Sequence, residues 1–122
     1  MHGKILTIAG SDPSGGAGIQ ADIKTISALG GYAMAAITAL TVQNTVSVSA
    51  VHPVPALVLE GQVKAVLQDI IPDAIKVGMM ATEENAEILA EIFATVKGVP
   101  LVVDPVILST SGHSLLSERG VE

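Results

Sequence analysis

Residues 4–31 change period twice. The β-branched run KILTIA (Lys4–Ala9) ends at Gly10, a turn of small side chains follows, and Ile19, Ile23, Ile26 and Leu29 then recur at helical spacing until Gly30 and Gly31 stop them. A buried strand, a glycine-rich turn and an amphipathic helix in that order open a β-α-β unit, and the pattern repeats. YAMAAITAL (Tyr32–Leu40) reads as a second strand and TVSVSAV (Thr45–Val51) as a half-exposed one. Pro53 and Pro55 open a helix whose apolar stripe is Leu59, Val63, Val66, Leu67 and Ile70. AIKVGMM (Ala74–Met80) is a third main strand ending near Gly78. Thr82 then caps a helix with Glu83 and Glu84 in its first turn and Leu89, Ile92, Phe93 and Val96 on its apolar face, ended by Lys97 and Gly98. PLVVDPV (Pro100–Val106) is a further strand, and another helix begins near Leu115. Strands alternating with helices imply right-handed crossovers and a largely parallel sheet with helices packed on it.

Composition limits what such a sheet can serve. With 122 residues and 49% hydrophobic content the chain can bury one modest core, so a single domain over residues 1–122 is expected. Twelve acidic against six basic residues leave a net charge of -6, which argues against a nucleic-acid groove or an anionic membrane face, since both need clustered Lys and Arg. Small soluble ligands fit better. The absence of cysteine excludes a disulfide framework and a thiolate zinc site. His2, His52 and His113 lack ligand spacing and read as surface residues. The apolar run in MHGKILTIAG is too short for a signal sequence and nothing approaches the roughly 20 apolar residues of a membrane span, so a cytoplasmic location is expected.

The turn GSDPSGGAGIQAD (Gly10–Asp22) decides the function. A Walker A loop needs Lys and then Ser or Thr after its last glycine, whereas Gly18 is followed by Ile19 and Gln20. GAGIQA (Gly16–Ala21) fits a relaxed dinucleotide pattern, but it starts too far beyond the strand and no acidic residue ends the next strand to hold a ribose. Two readings remain: a turn that lets a flat or small ligand approach the backbone, and a plain strand-to-helix connection. Asp22 bears on the choice. At 100° per residue from Ile19, Ile23, Ile26 and Leu29 fall at about +40°, -20° and -80°, and Asp22 at about -60°, within the apolar face. A carboxylate there either faces a cavity with a polar ligand or is hydrogen-bonded to a neighbouring loop.

Four stretches, Gly10–Asp12, Gln43–Asn44, Gly78–Met80 and Asp104–Val106, each end a predicted strand, and in an open parallel sheet those ends share the edge where ligands bind. Gln43 offers an amide donor and acceptor side by side, suited to an aminopyrimidine or adenine-like edge or to ordinary loop contacts. Met79 and Met80 read as an adaptable wall for a ring or as core. Asp104 with Pro105 reads as a turn, or as a carboxylate reaching toward metal-bound phosphates.

The stretch LTIAGSDPSGGAGIQADIKTISALGGYAMAAITALTVQNT, followed by IKVGMM and VVDPVILSTSGHSLLS, closely resembles the hydroxymethylpyrimidine/phosphomethylpyrimidine kinases of thiamine biosynthesis, in the ribokinase-like superfamily. The likeness runs through essentially the whole chain. It implies a ribokinase-like three-layer α/β/α sandwich with a largely parallel sheet, of which residues 1–122 are the N-terminal, substrate-binding half. It also implies ATP and Mg2+ as cofactors, a homodimer, and phosphorylation of 4-amino-5-hydroxymethyl-2-methylpyrimidine and then of its monophosphate. By the same resemblance Gly10, Ala17, Asp22, Gln43, Met79 and Val106 shape the pyrimidine pocket, while Asp104 lies near the phosphates and the metal. Thr110 departs from the pattern, since many relatives carry Lys there. In the family, the nucleotide site, a G-T-G anion hole and the residue activating the hydroxyl belong to a second half that these residues do not contain, so this chain alone is expected to be inactive. Two further readings are a pyridoxine/pyridoxal kinase of the same superfamily and a non-catalytic pyrimidine-binding module. The block GSDPSGGAGIQAD favours the pyrimidine enzyme.

Overall fold

The computed structural model describes residues 3–105. Strands β1 (Lys4–Ser11), β2 (Tyr32–Gln43), β3 (Val48–Pro53), β4 (Ala74–Val77) and β5 (Leu101–Val103) form one sheet in the spatial order β3-β2-β1-β4-β5. β1 is parallel to β2 and β4, β4 is parallel to β5, and β3 is antiparallel to β2. Helix α1 (Gly18–Ala28) connects β1 to β2, α2 (Ala56–Asp69) connects β3 to β4, and α3 (Glu83–Thr95) connects β4 to β5. The alternation read from the sequence is therefore the alternation of the fold.

β5 is confined to Leu101–Val103, with Asp104 and Pro105 outside the expected strand, β1 runs on to Ser11, and β2, β3 and β4 differ from expectation for local reasons. β2 continues past Leu40 to Gln43 because β3 folds back on it, from Ala39 opposite Pro53 to Gln43 opposite Val48. The hairpin starts β3 at Val48 and not at Thr45, since Asn44 Oδ1 accepts from the amides of Val46 (2.9 Å) and Ser47 (3.1 Å) and holds them in the turn. β4 stops at Val77, short of Met80, because the Met79 carbonyl leaves the ladder for the Thr38 hydroxyl at 2.7 Å. Val106, Thr110, His113 and the helix expected near Leu115 lie outside the described residues.

Alternating side chains separate the two faces of the sheet. On one, Leu6, Ile8, Met34, Ala36, Ile75 and Val77 pack against Leu59 and Val63 of α2 and Leu89 and Ile92 of α3. α1 lies over β1 and β2 on the other, giving helices on both sides. Only part of the α1 stripe is used. Ile19 is buried, but Ile23 is 37% exposed and Leu29, the C-cap residue beyond the last turn, is 73% exposed. β2 lacks a strand partner on its outer edge at Ile37, and Gln62 of α2 supplies one: its Oε1 accepts from the Ile37 amide (2.9 Å) and its Nε2 donates to the Ile37 carbonyl (3.0 Å). Among the described residues no helix is long and apolar enough to cross a membrane.

The chain leaves β1 through α1 toward β2, then returns through α2 on the opposite face to place β4 on the other side of β1. Strand order thus reverses at β1. Open α/β sheets bind their ligands outside the C-terminal ends of the strands at such a switch point, here between β1 and β4.

Candidate functional site

The turn after β1 is built around Asp12. The residue is only 3% exposed, and its two side-chain oxygens divide four donors between them. Oδ1 accepts from the Ser14 amide (2.8 Å) and the Ser14 hydroxyl (2.6 Å), while Oδ2 accepts from the amides of Gly16 (3.0 Å) and Ala17 (2.9 Å). Burial acts to raise the Asp12 pKa, but the Ser14 hydroxyl and the Ser14, Gly16 and Ala17 amides outweigh it and hold the carboxyl below its ordinary 3.8. The glycine-rich turn is thereby satisfied by an anion of its own. Those three amides are not available to cradle a phosphate, which removes the phosphate-loop reading on physical grounds. Ala17, the N-cap residue of α1, has no side-chain cap and depends on Asp12 reaching across.

Gln20 fixes the other side of the turn. Its Oε1 accepts from the Asp12 amide (2.8 Å) and its Nε2 donates to Ser11 Oγ (2.8 Å). Gly18 brings the helix start onto the strand end: its φ is +59°, and a Cβ there would stand 2.2 Å from the Gly10 carbonyl oxygen. Gly10 is pressed from the segment after β4 as well, since a Cβ on it would lie 2.8 Å from Met79 Sδ. Met79 is 6% exposed and sits in a small cluster with Ala39 and Ala81, with Val51 packed against it. Gly10 and Met79 meet at the switch point itself.

Gln43 ends β2 on the same edge. Its Nε2 donates to Thr41 Oγ1 (2.7 Å), and that hydroxyl donates to the Ser11 carbonyl (2.7 Å), so the amide is tied through Thr41 to the turn that Asp12 organises. Asp104 follows β5, its amide donating to the Val77 carbonyl (2.8 Å) while its side chain stays exposed. Gly10, Ala17, Gln43, Met79 and Asp104 are thus gathered along one edge. Val106 lies outside the described residues.

Asp22 is placed differently. From the second turn of α1 it reaches the sheet face below that edge, where its carboxylate accepts from the Thr7 hydroxyl (2.5 Å) and from Lys76 Nζ (2.9 and 3.1 Å). The pair is partly buried, with side-chain exposures of 18% for Asp22 and 30% for Lys76. The carboxylate on the apolar face has its partner in the protein, and that partner comes from a strand and not from a loop. An open depression of about 510 Å3 lies at the opposite edge of the sheet, lined by Lys4, Tyr32, Asp69, Ile70 and Ile71. It shares no residue with the glycine-rich turn.

Sequence reasoning assigned no role to Asp12, Gln20, Thr41 or Lys76. For Asp12 a signal existed: Asp followed by Pro-Ser-Gly is an Asx-turn signature. For Lys76 it was the one polar residue in AIKV, alternating onto the face that carries Asp22. Among the described residues no three His, Cys, Asp or Glu side chains cluster to hold a metal ion.

An open, largely parallel sheet with helices on both faces, a strand-order switch and a preformed turn at that switch define an α/β protein of the ribokinase-like fold. The family model for phosphomethylpyrimidine kinase matches residues 12–122, and the chain belongs to that family. It is 48% identical over 117 residues to the hydroxymethylpyrimidine/phosphomethylpyrimidine kinase of Aquifex aeolicus, covering 96% of this chain and 46% of the relative. The crystal structure of phosphomethylpyrimidine kinase from Clostridium difficile 630 superposes with a TM-score of 0.86 at 48% identity, covering 96% of this chain and 51% of that one. The pyridoxal kinase from Staphylococcus aureus, in complex with AMP-PCP and pyridoxal, gives a TM-score of 0.75 at 46% identity, with 84% and 39% covered. The chain spans about half the length of the Aquifex relative and of the Clostridium structure.

Proposed function

We propose that residues 1–122 form the substrate-binding half of a hydroxymethylpyrimidine/phosphomethylpyrimidine kinase, which transfers a phosphoryl group from ATP to the hydroxymethyl group of an aminopyrimidine and then to the monophosphate. The observation that carries this reading is the meeting of Gly10 and Met79 at the strand-order switch, with the Gln43 amide on the same edge. Gly10 admits close approach, Met79 supplies an apolar surface for a ring, and Gln43 retains an oxygen to face the ring amine. Ala17 borders this pocket, Val106 is assigned to it by the family resemblance alone, and Asp22 supports it from beneath through Thr7 and Lys76. Mg2+ fits as a cation carried by nucleotide phosphates. Among the described residues, Asp104 is the carboxylate at this edge not already taken up by protein donors, and Mg2+ commonly needs no more than one or two. The chemistry belongs to a small-molecule enzyme of the cytoplasm, working as a homodimer.

Calorimetry on the full-length gene product tests the reading. Hydroxymethylpyrimidine should bind more tightly than pyridoxal, and Gln43→Ala should weaken it by about 1–3 kcal/mol, the usual loss on removing a buried hydrogen-bonding partner, with ATP affinity little changed. Tighter binding of pyridoxal would favour the pyridoxal kinase reading, for which the 46% identity to the Staphylococcus enzyme speaks. Pyrimidine affinity within twofold of wild type in Gln43→Ala would remove Gln43 from the site.

A further inference from the structure

The connection from β4 to α3, residues 78–82, is held more elaborately than a loop between two packed elements requires. Ala81 adopts a φ of 76°, in the left-handed region that disfavours a side chain. Asn85, in the first turn of α3, is wholly buried, as is Thr38 of β2. Asn85 Nδ2 donates to the Met80 carbonyl (3.1 Å) and to the Thr38 carbonyl (3.3 Å), while the Thr38 hydroxyl donates to the Met79 carbonyl (2.7 Å). The Asn85 amide in turn donates to Thr82 Oγ1 (3.1 Å), which closes the helix start. Asn85 Oδ1 accepts from no group among the described residues, so an amide is kept in the core although its oxygen gains nothing there. The Asn85 side-chain amide and the Thr38 hydroxyl together hold two successive carbonyls, those of Met80 and Met79. The Met79 side chain, packed onto Gly10, is the group whose position depends on them.

We propose that Thr38 and Asn85 are positioning residues that fix the Met79 side chain against Gly10 and thereby set the shape of the ring end of the pocket. With 0% exposure, neither can touch a ligand, so their effect on binding must pass through Met79. The proposal rests on the reading of this edge as a ring-binding site. Its structural half, the control of Met79, can be measured without any ligand.

The test uses the full-length gene product labelled with 13C at the methionine methyls, together with Thr38→Val, Asn85→Asp and Met79→Ala. Thr38→Val keeps the side-chain volume while removing the donor to the Met79 carbonyl, and it decides the matter if Asn85→Asp fails to fold. In Thr38→Val the Met79 methyl resonance should move toward its rotamer-averaged position. Hydroxymethylpyrimidine affinity should fall about 5–20-fold, as for one positioned hydrogen bond, and affinity for AMP-PCP should stay within about twofold. Introduced into Met79→Ala, the same substitution should change pyrimidine affinity less than about twofold, because the group it positions is gone. A Met79 methyl unmoved in Thr38→Val overturns the proposal, as does an equal loss of affinity with and without the Met79 side chain. If the wild type binds no pyrimidine, the proposed function falls, while the methyl resonance still decides whether Thr38 controls Met79.

Discussion

Replacing Asp12 by Asn tests whether the glycine-rich turn is held by one carboxylate. The exchange keeps the shape of the side chain but turns one acceptor oxygen into a donor. Whichever way the new amide faces, its NH2 meets donors: the Ser14 amide and hydroxyl on one side, or the Gly16 and Ala17 amides on the other. Two of the four bonds are lost, and the remaining two lose their charge assistance. Hydrogen bonds to a charged group contribute about 1.5–3 kcal/mol each, so two of them amount to about 3–6 kcal/mol before relaxation. The Ser14 hydroxyl can rotate and water can reach the turn from the sheet edge, which brings the expected loss to about 2–4 kcal/mol, a large part of a domain's usual stability. Urea unfolding of wild type and Asp12→Asn at neutral pH measures it directly. The pH dependence gives an independent check. Because the folded-state pKa is depressed below 3.8, the contribution of the carboxylate is complete above that value and is lost as pH falls through the lowered one. The stability gap between the two proteins should therefore be constant from neutral pH to about 5, begin to close as pH falls below the ordinary carboxyl value, and go on closing as pH falls through the lowered one. A loss under about 0.5 kcal/mol, within the range of ordinary surface substitutions, or a gap that does not close in acid, would refute the reasoning.

Three further outcomes are expected. Asp22→Asn leaves Lys76 facing a neutral amide and should cost about 1–2 kcal/mol, discounted for the partial exposure of both side chains, and adding Lys76→Met should recover part of the loss; denaturant midpoints of the single and double variants check the coupling. Gly18→Ala should destabilise by at least about 2 kcal/mol, because its Cβ would meet the Gly10 carbonyl at a positive φ, and thermal unfolding reads the effect. The 122-residue chain by itself should show no pyrimidine-dependent ATP consumption, since it spans about half the length of its kinase relatives and phosphoryl transfer depends on groups placed all around the moving phosphate; a coupled assay giving turnover that Asp22→Asn abolishes would reverse this.

The parts of this protein legible in the sequence are those that depend on period and backbone chemistry. The strand and helix order followed from apolar spacing, and Thr82 behaves as the helix cap expected of it, with its hydroxyl accepting from the Asn85 amide. The gathering of Gly10, Gln43, Met79 and Asp104 on one edge followed from the parallel sheet alone. Contacts between residues distant in sequence were not legible. Lys76 meets Asp22 across a separation of 54 residues, and nothing near either residue encodes the other. The extension of β2 was hidden because it depends on β3 and not on the composition of TVQ. Asn85 was invisible for a different reason: in a first helical turn Asn is unremarkable, and its role comes from two carbonyls supplied by other segments.

The sheet order has a consequence for how the chain assembles during synthesis. Among the described residues β1 is the first strand in chain order and the central one, and each side of the sheet grows outward from it: β2 and then β3 on one flank, β4 and then β5 on the other. Among the described strands, each one after β1 finds its partner already made, and none has to insert between two already paired. Parallel pairing is slow when it must close long loops, but here each parallel addition closes a single crossover onto an edge that already exists, and β3 adds by a hairpin. Nascent chains should thus gain protection in sequence order, with β1 and β2 paired before β4 emerges.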